Sequence, residues 1–471
     1  LPGCRRLIAS AGPEPASRQS RTGVTPVLTH PHPQIMTAMP CVQAFPVAFP
    51  VSARGFSRAL LLLVAAAFGL VAAACGTEPG VEADGAAFVP EVEDVYRVGA
   101  VEGGQLDSFS RVTSVAFDDQ GRLFILDSDA RRVIVVESDG TLARAFGSQG
   151  DGPGQFRMPQ TLTVLPSGEV AVADAGRRGV LVFAPDGEHL RTVPFGEGHV
   201  GGAGALFPEP SGGAVVFASR GMVMAPGGGG PPTLPTDIPI RRLALSGEEV
   251  GEMSVVHRAW RPTREGLGDL QVRTEGGQVR FSGSGPGMVA FEPQLHLAVL
   301  PDGRLAVADS STYRIRIHSP EGELLETVER PVTPLPVGDR EREAERERRM
   351  QELQEGGGPQ IQIAVGGPGG STQSFDQTDM REMLEEQVRN LAFWPEIPVI
   401  RSLATDREGR LWVRREGAID LLTPEGELLG TVPAGEFTLP NAFGPDGLVA
   451  WVEPDELEVP FVRVARLSGM P

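Results

Sequence analysis

Ala116-Phe117-Asp118-Asp119-Gln120-Gly121-Arg122-Leu123-Phe124-Ile125-Leu126-Asp127 is the stretch that decides the fold, because the chain repeats its frame three more times. The repeats are Val164-Leu165-Pro166-Ser167-Gly168-Glu169-Val170-Ala171-Val172-Ala173-Asp174, Val299-Leu300-Pro301-Asp302-Gly303-Arg304-Leu305-Ala306-Val307-Ala308-Asp309 and Ala404-Thr405-Asp406-Arg407-Glu408-Gly409-Arg410-Leu411-Trp412-Val413. In the first three an Asp follows the turn glycine by six positions (Asp127, Asp174, Asp309), and a second glycine follows it by 19 (Gly140, Gly187, Gly322). The fourth unit shortens that spacing to 17 (Gly426) and carries Arg415 where the Asp is expected. A fixed period of this kind is the signature of a repeat architecture.

Each unit reads as four short strands. In the first, apolar runs at 112–118, 123–126, 132–136 and 142–146 are separated by turn residues. Gly121, Gly168, Gly303 and Gly409 fall where a tight hairpin turn needs a positive φ, which a Cβ disfavours. Pro-Ser-Gly at 166–168 and Pro-Asp-Gly at 301–303 add turn chemistry, since proline pre-sets the first turn residue. Four-stranded antiparallel units of this length, repeated, predict an all-β propeller. Two looser units, at 205–258 and 439–467, raise the count to six blades. The last supplies only three strands, so the spacing predicts that 94–100 adds the fourth and closes the ring, leaving no open edge. A mixed-charge stretch at 339–354 reads as a solvated helix, and 379–391 as a helix with a Met380, Met383, Leu384, Val388, Leu391 stripe. They form an insertion at 339–394 between blades four and five, around a glycine-rich linker at 356–371.

Phe146-Gly147-Ser148-Gln149-Gly150-Asp151-Gly152-Pro153-Gly154-Gln155-Phe156-Arg157-Met158-Pro159 resembles the inter-blade signature of NHL-repeat propellers, as does the glycine, Val-Ala-Asp and Asp-Gly frame. A degenerate echo stands at 283–293. The similarity extends to bacterial six-bladed propeller lipoproteins. It implies the fold; function has to be argued from a site.

The ends and the composition narrow the function classes. All 42 basic residues are arginine, which excludes Schiff-base lysine chemistry. Cys4, Cys41 and Cys75 all lie in the first 75 residues, so no disulfide or cysteine zinc site can form beyond them. The formal charge of −19 becomes −24 without residues 1–74, which argues against nucleic-acid binding. Arg54 and Arg58 precede a sixteen-residue apolar run, 59–74, and then Cys75-Gly76. That layout is a secretory signal, and the run is short for a membrane span. It resembles a bacterial lipoprotein signal, although Ala72 stands where that family prefers Leu. The resemblance implies lipidation of Cys75 and an extracytoplasmic, membrane-anchored protein, on the periplasmic side or in the outer membrane of a Gram-negative cell. An ordinary cleaved signal and an uncleaved anchor are the alternatives. Residues 1–35 precede the first methionine and read as an upstream extension, 36–74 as signal, 75–91 as tether and 92–469 as propeller.

The recurring Asp127, Asp174 and Asp309 suggest metal or acid–base chemistry, but a residue present in each blade is better explained as an acceptor for the backbone N–H groups of its own turn. His296 alone falls on an inner strand where propeller lyases and lactonases hold a metal, and one histidine does not make a site. His257 and His318 fall on outer strands, and no nucleophile elbow or His-Glu-x-x-His motif occurs. No cofactor is expected. Long insertions after the second strand of blade three (221–239), between blades three and four (260–291) and at 339–394 all leave one face. That face carries Arg131, Arg132, Arg177, Arg178, Tyr313 and Arg314 at equivalent turns, a cationic set suited to an anionic ligand. The expectation is a monomeric propeller that binds a small molecule, a glycan or an envelope protein through the long-loop face. The alternative is a propeller enzyme, a lyase or lactonase with a metal in its channel.

Overall fold

The computed structural model describes residues 86–99, 108–196, 203–218, 236–248, 250–263, 271–275, 278–282, 289–354 and 377–471. The apolar run, Cys75, the linker at 356–371 and most of 221–239 lie outside them. Six four-stranded antiparallel sheets form the blades of a propeller. Blade one is Val112–Phe117, Leu123–Asp127, Arg132–Val136 and Leu142–Phe146, and blade two is Pro159–Val164, Val170–Asp174, Gly179–Phe183 and His189–Pro194. Blade three runs Phe207–Pro208, Ala214–Ala218, Asp237–Ala244, Met253–Trp260, and blade four His296–Val299, Leu305–Ala308, Arg314–His318, Leu324–Glu329. Blade five is Ile400–Thr405, Leu411–Arg415, Ala418–Leu422, Leu428–Pro433. Blade six takes Ala442–Phe443, Leu448–Pro454 and Pro460–Ser468 from the C-terminal end, and Glu91–Val98 as its outermost strand. The first strands of neighbouring blades meet around the axis, between blades one and two, two and three, three and four, four and five, and six and one.

The core is divided among the blade junctions. Six hydrophobic clusters each join one blade to the next. The second strand shows why the sequence requires this. Leu123 and Ile125 pack towards blade six, whereas Phe124 and Leu126 pack towards blade two. With successive side chains on opposite faces and both faces covered, the strand must be apolar throughout rather than alternating. Leu123–Asp127 and Val170–Asp174 are buried along their whole length.

The two turn glycines do different work. Gly168 and Gly303 need φ of +82° and +89°, but a Cβ there would press only on proline side-chain atoms at 3.3 Å, a slightly tight contact. The second-turn glycines add a close approach to the outer strand of the preceding blade: Gly187 to Phe146, Gly322 to Val256 and Gly426 to Val328. At Gly322 the added carbon would stand 1.7 Å from the Val256 carbonyl oxygen.

Two helices stand outside the ring between blades four and five: α1, Asp339–Gln354, and α2, Gln377–Arg389. α1 buries no residue, as its lack of an apolar face requires. Two short ladders tie the excursion down. Leu335–Pro336 pairs with Glu396–Ile397, and Val289–Ala290 pairs in parallel with Ala392–Phe393. The Arg346 guanidinium lies 4.9 Å above the Phe393 ring, so α1 is held by cation–π contact rather than by an apolar seam. Val388 and Leu391 of the expected stripe are buried. The side chains of Met380 and Met383 lie outside the described residues.

Candidate functional site

In a four-stranded antiparallel blade, the turns from second to third strand and the blade-to-blade connections leave at the same end. On that face a cleft of about 860 Å³ opens among blade four, blade five and the connection into blade six, with α1 along its rim. Its apolar lining includes Phe291, Pro398, Ile400, Ile419 and Phe437. Its polar lining includes Arg401, Arg414 and Glu416 from blade five, Glu345, Arg348 and Arg349 from α1, and Glu292. The volume is within the range of small-molecule sites.

The repeat is altered where the cleft forms. In blades one and two the strand-end Asp clamps the incoming connection. Asp127 accepts from the N–H groups of Ser110 and Arg111 (3.2 and 2.9 Å), and Asp174 from those of Arg157 and Met158 (2.8 and 3.0 Å). Asp174 also accepts from Arg177 N–H of its own turn at 2.9 Å. The expected acceptor role is therefore present, but its main partners are the residues that lead into the first strand. In blade four Asp309 turns to Ser311 at 3.1 Å, and the buried Ser310 takes over the clamp: its hydroxyl accepts Gln294 N–H at 2.7 Å. In blade five the Ser310 carbonyl receives Val399 N–H at 2.8 Å, which releases the position held by Arg415 from clamping. Phe291 (φ 59°) and Ser310 (φ 61°), both lining the cleft, hold left-handed backbone that side chains disfavour. Strained residues of this kind gather at functional sites.

Arg401 reaches the cleft through a bulge. The first strands of blades one, two and five each shift register against the second strand, between Val112 and Ser114, Pro159 and Thr161, and Ile400 and Ser402. The extra residue is Thr113, Gln160 or Arg401. A bulge re-aims its side chain. Arg401 pairs with Glu416 at 2.9 Å. Arg348 and Arg349 pair with Glu345 at 2.8 and 2.7 Å, and these two guanidinium hydrogen bonds hold the Glu345 carboxyl below its usual range against the opposing effect of burial. Arg414 is exposed, and no hydrogen bond or ion pair engages its side chain among the described residues.

Beneath the cleft, Arg415 gives Asp420 a forked pair of bonds at 2.9 and 3.2 Å. Arg330 of the preceding connection and the Thr431 hydroxyl each add a bond at 2.8 Å. Tyr313 lies against the Arg330 guanidinium, 5.5 Å from ring centre. Burial first, and then the Asp420 carboxylate, push its hydroxyl far above the ordinary phenol range.

The residues expected from sequence are spread over several blades. Tyr313 is 2% exposed and belongs to the junction of blades four and five, so it is core rather than ligand-facing. Arg132 donates to Asp127 and to the Ser108 carbonyl, Arg131 to the Arg157 carbonyl, and Arg177 to the Asp151 carbonyl. The Arg131 and Arg177 donors stitch the loop between blades one and two, and those of Arg132 the connection into blade one. Arg178 is exposed and has φ 53°. Arg314 pairs with Glu329 across its own blade. These arginines share the face of the cleft but lie on other blades, except Arg314. His296 lines the cleft with Glu292, but no group of three His, Cys, Asp or Glu side chains among the described residues converges to hold a metal. His257 and His318 stack with ring centres 4.0 Å apart across the junction of blades three and four. Sequence reasoning missed Arg348, Arg349, Arg401 and Arg414. The signal that pointed to them was the loss of the repeat Asp at Arg415.

No family model matches the chain. It is 33% identical over 86 residues to NHL repeat-containing protein 3 from Homo sapiens, which covers 17% of this chain and 25% of that protein. It is 36% identical over 63 residues to the E3 ubiquitin-protein ligase NHLRC1 from Homo sapiens, over 13% of this chain and 16% of that one. The chain thus spans a quarter or less of the length of these relatives. Among solved structures it is similar to a gluconolactonase from Xanthomonas campestris (14% identity, 84% of this chain and 100% of that one, TM-score 0.38). It is similar also to a streptogramin B lyase (10% identity, 81% and 98%, TM-score 0.37). Overlaps this loose support no inference about chemistry.

Proposed function

We propose that this NHL-repeat-like six-bladed propeller is a binding module, anchored by lipid on Cys75 outside the cytoplasm, whose ligand enters the cleft between blades four and five. The observation that carries the reading is the departure from the repeat. The strand-end clamp is intact in blades one and two and is replaced in blades four and five, where the cleft of about 860 Å³ lies. A ring whose six junctions are already filled by apolar clusters gains nothing in stability from such a gap at one face, and loops on a rigid scaffold are where recognition is built. The ligand is a small molecule, a glycan end or a segment of an envelope protein.

Hydrogen exchange of the full chain, with and without a crude envelope extract, tests this reading. Protection is expected in 291–296, 398–401, 414–417 and 433–438. Protection confined to the opposite face, at Gly121 and Gly140, refutes it. Anchoring is tested separately by Cys75→Ala and fractionation: the variant should leave the membrane, and wild-type retention sinks that part of the reading.

A further inference from the structure

We infer that the cleft is selective for an organic carboxylate carrying a single negative charge and an apolar body, with Arg414 as the primary anchor and Arg401 beside it. The inference rests on the reading of the cleft as the binding site and adds the class of ligand.

Charge sets the sign and the size. Arg415 is committed to the fully buried Asp420. Of the remaining arginines of the lining, Arg348 and Arg349 are answered by Glu345 and Glu352 and Arg401 by Glu416, which leaves Arg414 as the cation that no ion pair answers among the described residues. That cation stands on a chain of net charge −19, so it is a local feature of the cleft. One unanswered cation matches a monoanion, and the glutamates of the lining oppose a dianion such as a phosphate monoester. Arg348 and Arg349 already share Glu345, and Arg401 is held by Glu416. Arg414 alone of the four has its donors unengaged among the described residues. A guanidinium fork matches a carboxylate bidentately.

Register puts the two anchors together. Ser402 pairs with Arg414, and Arg401 is the bulged residue next to it, so both stand at the same end of neighbouring strands. The lining beside them is apolar: Ile400, Ile419, Pro398 and Phe437. A hydrophilic sugar acid would leave that wall unfilled, whereas an aryl or alkyl acid covers it and directs its carboxylate to Arg414. Phe437 also supplies a reporter, because its ring lies 5.7 Å from that of Trp412 and 5.9 Å from that of Trp451.

The test titrates the full chain with 4-phenylbutanoate, its neutral amide and the corresponding amine, read by tryptophan fluorescence and by hydrogen-exchange protection. A fragment of this size binds at millimolar concentration, so the titration runs to roughly 10 mM. The acid should bind at least about tenfold more tightly than the amide, and the amine should not bind. Arg414→Gln should weaken the acid about tenfold and leave the amide unchanged, and Arg401→Gln should act in the same direction more weakly, since Glu416 already shares that group. Rising salt should weaken the acid only. Equal binding of acid and amide with protection in the cleft overturns the ligand class and leaves the cleft as the site. So does acid binding that Arg414→Gln does not change. Failure of all three probes to bind overturns the inference, and the envelope-extract footprint then decides the cleft on its own.

Discussion

Replacing Asp420 with Ala should be among the most damaging single changes in blade five. Asp420 is completely buried and answers four donors: two from Arg415, one from Arg330 and the Thr431 hydroxyl. The Arg415 side chain is 4% exposed and that of Arg330 14%, so both guanidinium groups would be left largely buried without their partner. Removing one partner of a buried ion pair costs about 3–5 kcal/mol, chiefly through the charge left behind. At ~2.1 cal/mol/K per residue the unfolding entropy of residues 86–471 is about 0.8 kcal/mol/K, so Tm should fall by roughly 4–6 °C in calorimetry. The double variant Arg415→Met, Asp420→Leu should recover part of that loss, because apolar groups of similar volume replace a buried pair at little cost. A Tm within about 1 °C of wild type for Asp420→Ala would refute the argument that this network closes the junction.

Gly322→Ala should cost at least about 2 kcal/mol more than Gly303→Ala in urea unfolding: both violate φ, at ~1–2 kcal/mol, but only Gly322 drives a carbon into a carbonyl oxygen. Equal costs would show that the approach to Val256 is soft. Asp174→Ala should destabilise more than Asp309→Ala, since it orphans three backbone N–H groups rather than one, at about 1–3 kcal/mol each when buried; the reverse order in calorimetry would remove the clamp. Burial, with the neighbouring imidazole and Arg316 adding for His257 and Arg316 for His318, holds both stacked histidines below the ordinary value near 6.5. The unfolded chain then takes up protons first, so stability is intact above about pH 6.5 and is lost as pH falls towards the depressed folded values. Tm should drop between about pH 7.5 and 5.5, and less so in His257→Phe; a parallel drop in that variant would clear the pair of any role.

The blades were legible because their local demands are written in adjacent residues. A positive-φ glycine, a proline ahead of it and an apolar strand covered on both faces constrain one short window each. The third and fourth strands of blade one, at 132–136 and 142–146, coincide with Arg132–Val136 and Leu142–Phe146. What was not legible depended on residues distant in sequence. Asp127 looked like the acceptor of its own turn, whereas its partners Ser110 and Arg111 stand 17 and 16 residues upstream. Tyr313 sits at a turn that in blades one and two is half-buried to exposed, yet Asp420 and Arg330 belong to a network that closes over it only once blade five has docked. The cleft arginines come from a helix, a bulge and a strand end that only the closed ring brings together. Arg415 was visible as an exception to the repeat, and the cleft opens beside the blade that carries it.

The segment from Ala86 to Val98 has a consequence for how the molecule is made. Ala87 bridges Thr431 on blade five, and Glu91–Val98 then completes blade six on Pro460–Ser468. One bond of this closure joins residues 377 apart, Glu91 and Ser468. Closing so long a span costs only about 2 kcal/mol more than closing one blade of ~40 residues, so equilibrium stability scarcely registers it. Timing does. During synthesis the first strand waits unpaired until the last blade leaves the ribosome, and the edge of Pro460–Ser468 stays open until the two meet. Either edge can accept the matching strand of another copy in that interval. The yield of monomer on refolding should therefore fall as chain concentration rises, with strand-exchanged dimers as the competing product.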